Sequence, residues 1–124
     1  MNSQELTTRL TILSVQDVID EQAGTITTQA FENLKVLLET DDVKQAEMLF
    51  THLPAALTRI DSQSDIEGPS EEVLSEIKES PYFTLAERQV RTIEEVNGAA
   101  FPQSEFDYLL LHYTTVITIN KGGN

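Results

Sequence analysis

Apolar residues recur at intervals of three and four along almost the whole chain, beginning with Leu6, Leu10 and Leu13 and continuing to Val18 and Ile19. That spacing places them on one face of an α-helix. A first helix is predicted from about Glu5 to Gln22, broken by Ala23-Gly24. Thr27 or Thr28 then caps a second helix whose apolar face is Phe31, Leu34, Val36, Leu37 and Leu38, stopping near Thr40. Asp41 and Asp42 offer side-chain oxygens to the free N–H groups of a third helix, backed by Val43, Ala46, Met48, Leu49, Leu53, Ala56, Leu57 and Ile60. Pro54 has no N–H for the carbonyl of Phe50 and crowds that turn, so an interruption with a kink just after His52 is expected.

From Asp61 to Glu79 there are seven acids and one Lys, and the stretch from Asp61 to Pro69 has no helical face, which makes it the main loop. Ser70, followed by Glu71, Glu72 and Val73, opens a short helix through Leu74 and Ile77 that ends before Ser80-Pro81. Another runs from Tyr82 through Leu85, Ala86, Val90, Ile93 and Val96 to a stop at Asn97-Gly98. Phe101 to Glu105 opens the last, striped by Phe106, Leu109, Leu110, Tyr113, Val116 and Ile117. The β-branched run Val116 to Ile119 continues this stripe and has no partner run, so it reads as helix. The expected fold is an all-α bundle of five to six helices in one domain over residues 1–124, frayed at about 1–4 and 120–124.

Composition narrows the function. With 124 residues and 40% hydrophobic side chains the chain supports one core and is not disordered. A net charge of −13 disfavours direct binding to nucleic acid or an anionic membrane. Without cysteine there is no disulfide, thiolate nucleophile or Cys-type zinc site. No basic start precedes an apolar run, and no stretch reaches the ~18 apolar residues of a membrane span. A soluble cytoplasmic protein is expected.

No GxGxxG, P-loop, HExxH or GxSxG motif is present. Neighbouring acids such as Glu71 with Glu72 and Glu94 with Glu95 point in different directions on their helices and read as a solvated face. The two histidines carry more. His52 has Met48 and Leu49 one turn before it, Ala55 and Ala56 one turn after, and Arg59 two turns on. His112 follows Tyr108 and Leu109 by one turn and Glu105 by two, and precedes Thr115 and Val116. Both imidazoles thus lie at the border of a core. Residue type and spacing leave each open between an ordinary border histidine and a nucleophile, base or ligand. A metal site is the weaker option, since neither has a second His or an acid at i+4.

Taken together, these features resemble the phosphotransferase-system regulation domain (PRD), a helical module of bacterial regulators phosphorylated on histidine. Its first site is similar to His52-Leu53-Pro54-Ala55-Ala56-Leu57-Thr58-Arg59, with departures at Pro54 and Ala55. Its second is similar to Glu105, Tyr108-Leu109 and His112. The likeness extends from about Leu6 to Ile119. It implies phosphorylation of His52 and His112, supported by Arg59, Glu105 and Tyr108, with the phosphoryl group coming from HPr or a sugar-transporter subunit. Arg59 would pair with the added charge and Glu105 would orient the ring of His112. It further implies a non-enzymatic regulator, without metal or other cofactor, acting as a stand-alone domain in trans on an unknown protein of sugar uptake, metabolism or transcription, and forming a homodimer. The alternatives are a PRD-like dimeric scaffold or interaction protein that takes no phosphate, and a small helical enzyme using His112 with Glu105 or Glu47 as acid and base.

Overall fold

The computed structural model describes residues 1–59 and 67–122. They form α1 (Ser3–Val15), α2 (Glu21–Leu38), α3 (Glu47–Arg59), α4 (Glu71–Lys78), α5 (Phe83–Asn97) and α6 (Gln103–Gly122), with no strand among the described residues. Ile60 and most of the loop expected from Asp61 lie outside the described residues, as do Gly123 and Asn124.

α2 is the centre of the bundle because its apolar arc is wide. Ala23, Ile26, Ala30, Phe31, Leu34 and Leu38 are buried against α1, α3, α5 and α6. The edge of one ring meets the face of the next across the core. Phe31 on α2 lies 4.9 Å from Phe50 on α3 at 85°, and Phe50 lies 6.5 Å from Tyr113 on α6 at 74°, an arrangement the ring quadrupoles favour. Tyr113 is completely enclosed, and burial pushes its phenol well above the ordinary tyrosine range. α5 and α6 form a hairpin. Gly98 ends α5 in the left-handed region at φ 77°, and Glu94 Oε2 accepts from the Phe101 N–H at 2.8 Å.

Several predicted boundaries move. α1 ends at Val15, and α2 starts at Glu21 rather than near Thr27. Asp20 caps it by accepting from the Ala23 N–H at 2.7 Å. Gly24, expected as a breaker, lies within the helix, since its deficit of about 1 kcal/mol against Ala is matched by a good cap. Asp41 and Asp42 do not cap α3, which begins at Glu47. Asp42 instead accepts from the amino group of Met1 at 2.9 Å, and that amine also donates to the Val43 carbonyl at 2.6 Å. The first residues, expected to fray, are thereby tied into the bundle, and at the other end α6 continues through Lys121 and Gly122. α3 runs on through Pro54 to Arg59 instead of being interrupted there, with the proline ring itself buried. Burial of the ring offsets part of the missing hydrogen bond. Val36 and Met48, both placed on apolar faces by pattern, are 78% and 68% exposed. Val36 lies roughly 200° around the helix from the buried Leu34.

Candidate functional site

α3 and α6 bring the chemistry together. His52 and Arg59, two turns apart, share one face of α3, and Glu105, Tyr108 and His112 share one face of α6. The two helices pack so that His52 meets Glu105, Tyr108 and His112, while Arg59 meets Glu105.

Glu105 is the hub. Its side chain is only 3% exposed, and both oxygens are engaged. Oε1 accepts from Arg59 Nη2 at 2.7 Å and Nε at 3.2 Å, while Oε2 lies 2.9 Å from His52 Nε2. A carboxylate placed this deep requires such partners, because removing it from water costs several kcal/mol. Sequence reasoning placed Glu105 beside His112 as its orienting acid. It lies on the same face of α6 as His112, and its carboxylate reaches across to α3 to bond His52 and Arg59.

Three rings form a cluster above this hub. His52 stacks on Tyr108 with centroids 4.9 Å apart and planes 20° from parallel. His112 lies 4.8 Å from Tyr108 and 5.7 Å from His52. Burial lowers the pKa of His52 below the ordinary 6.5, against the raising effect of the Glu105 charge and hydrogen bond, and the Arg59 charge lowers it further. Burial likewise lowers His112, with a smaller contribution from the neighbouring His52. Both imidazoles are therefore neutral at neutral pH. A neutral imidazole keeps one unprotonated ring nitrogen whose lone pair is nucleophilic.

The rings open onto a pocket of about 410 Å³, also lined by Arg9, Glu47, Met48, Thr51 and Ala55. Arg9 comes from α1, and its Nη1 donates to Thr51 Oγ1 at 2.6 Å. Nothing in the local pattern singled out Arg9, because its place beside α3 is a packing outcome. Arg59, expected to pair with an added phosphoryl charge, gives two of its N–H groups to the buried carboxylate, and Arg9 is a cation lining the pocket. Among the described residues no group of three or more His, Asp or Glu is arranged to hold a metal ion. No described helix is long and apolar enough to cross a membrane.

A family model described as "PRD domain" matches residues 25–116, which takes in every residue of the α3–α6 cluster and leaves Arg9 outside. Comparison with curated proteins and with solved structures gave no match.

Proposed function

This chain belongs to the PRD domain family, and from that premise we propose that it is a regulatory phosphoacceptor of the sugar phosphotransferase system. His52 and His112 take a phosphoryl group from HPr or a transporter subunit and pass the signal to a second protein in the cytoplasm. One observation carries the reading: two neutral imidazoles lie 5.7 Å apart at the mouth of one pocket, one of them backed by a buried carboxylate and an arginine. Each offers a lone pair to phosphorus, and a phosphoryl group placed there brings about −1.5 to −2 of charge to a half-buried site. Such a charge is large enough to rearrange neighbouring side chains and any surface docked on them. The net charge of −13 argues that the protein responds to proteins rather than to nucleic acid directly.

The test is labelling. Purified protein incubated with phosphoenolpyruvate, Enzyme I and HPr, or with a phosphorylated transporter subunit, is expected to acquire acid-labile, alkali-stable phosphate that is lost in the His52→Ala, His112→Ala double variant. If the double variant labels as well as wild type, or wild type takes no label from any such donor, the chain is a PRD-like scaffold that has kept the fold without the chemistry.

A further inference from the structure

Two nitrogens of His52 are open to phosphorylation in principle, and they are not equivalent in this structure. Nε2 lies 2.9 Å from Glu105 Oε2. The Glu105 side chain is 3% exposed, and its other oxygen accepts two guanidinium N–H groups from Arg59. A carboxylate bound in this way only accepts, so the hydrogen between it and the ring is carried on Nε2. A neutral ring with its proton on Nε2 has its lone pair on Nδ1, on the other side of the ring from Glu105. Nδ1 makes no hydrogen bond among the described residues. The ring is held in place by Tyr108 stacked against it, and the side chain, 19% exposed, lines the same pocket as Arg9, Thr51 and His112.

We propose that Glu105 is a positioning residue that commits His52 to the Nε2–H tautomer, so that Nδ1 is the atom that takes the phosphoryl group. The inference rests on the phosphoacceptor reading above and names the reacting atom within it. In the transfer the Nδ1 lone pair forms an N–P bond while the N–P bond of the donor phosphohistidine breaks, and that electron pair leaves with the donor imidazole. The Nε2 proton stays where it is. The ring gains positive charge as its second nitrogen becomes substituted, and the Glu105 carboxylate already faces that charge, so no separate base is needed. This is the relation between aspartate and histidine in a hydrolase triad, with phosphorus in place of a proton at the outer nitrogen. Attack through Nε2 would require the buried carboxylate to withdraw and leave the Arg59 guanidinium without that partner.

The experiment is nitrogen NMR on full-length protein carrying ¹⁵N-labelled histidine. The chain has only two histidines, so each pair of ring signals is assigned by its loss in His52→Asn or His112→Asn. Before any phosphorylation, at slightly alkaline pH, His52 is expected to show a protonated Nε2 and an unprotonated Nδ1. The protein is then treated in parallel with potassium phosphoramidate, whose N–P bond breaks with loss of ammonia, and with the phosphoenolpyruvate, Enzyme I and HPr system. Phosphorus–nitrogen coupling reads which atom carries the group. Nδ1 is expected to exceed Nε2 by about tenfold or more, the ratio that one charge-assisted hydrogen bond supports. Glu105→Gln is expected to mix the tautomers and lower that ratio, and Glu105→Asp to restore part of it. A protonated Nδ1 in wild type, a phosphoryl group on Nε2, or a His52 that phosphoramidate leaves unmodified would each overturn the inference, whether or not the glutamine variant folds. Phosphoramidate modification at Nδ1 with no label from the protein donors upholds the inference and refutes the donor pathway instead.

Discussion

Removing the Glu105 carboxylate is the most informative single perturbation of this fold, because this one α6 side chain satisfies two groups on α3. Glu105→Ala deletes the two bonds from Arg59 and the one to His52. At a net 1.5 to 3 kcal/mol for each hydrogen bond to a charged group, the plain sum would be roughly 5 to 9 kcal/mol, comparable to the whole stability of a small domain. The sum overstates the cost, because the Arg59 and His52 side chains keep 31% and 19% of their exposure and recover some hydration when released. Breaking a buried pair costs about 3 to 5 kcal/mol. Discounted for that exposure, about 2 to 4 kcal/mol is expected for alanine and about 1 to 2 for Glu105→Gln, which keeps the volume and one acceptor. Urea unfolding followed by helical circular dichroism measures it, with a common slope taken across the variants. The coupling is read from a cycle with Arg59→Ala, expected at about 1 to 3 kcal/mol. A Glu105→Ala protein within about 0.5 kcal/mol of wild type, or strict additivity with Arg59→Ala, would refute the assignment of Glu105 as the buried link between α3 and α6.

Two glycines should respond with opposite signs. Gly24→Ala, inside α2 with its nearest neighbour at 3.9 Å, is expected to raise stability by about 0.5 to 1 kcal/mol, whereas Gly98→Ala, at φ 77°, is expected to lower it by about 1 kcal/mol; equal shifts in urea midpoint would contradict both assignments. The lowered pKa values of His52 and His112 mean that the unfolded chain binds more protons than the folded one just below pH 6.5, so their contribution to stability falls as pH drops from about 7 through the folded values. Replacing both by asparagine should flatten the loss between about pH 7 and 5, and an unchanged difference in midpoint across that window would count against it. Assembly should respond to charge at the histidines: for a dimer whose interface lies near them, His52→Asp and His112→Asp are expected to shift the association constant unequally, by about 1 to 3 kcal/mol. Sedimentation equilibrium giving a strict wild-type monomer, or one constant for all three proteins, would disprove the coupling.

The helical class was legible from the chain alone, since stripes such as Leu109, Leu110, Tyr113, Val116 and Ile117 repeat with the period of one helix face and remain buried in α6. The β-branched run Val116 to Ile119 continues that stripe and is helical for the same reason. His52, Arg59, Glu105, Tyr108 and His112 were also marked from the sequence, partly by the regular spacing that puts each set on one face and partly by likeness to a known family. Helix ends were less legible, because they depend on competition between local signals. Asp20 caps α2 ahead of Gly24, and Asp42 binds the amino group of Met1 rather than starting α3. Periodicity within a segment is a local property, so the sequence by itself determined which residues share a face. Only the tertiary structure decided which faces meet. The packing of α3 on α6 brought the Glu105 carboxylate to His52 and Arg59, and the position of α1 brought Arg9 to the pocket. Those choices follow from burial, which leaves an inward carboxylate stable only where donors on another helix reach it.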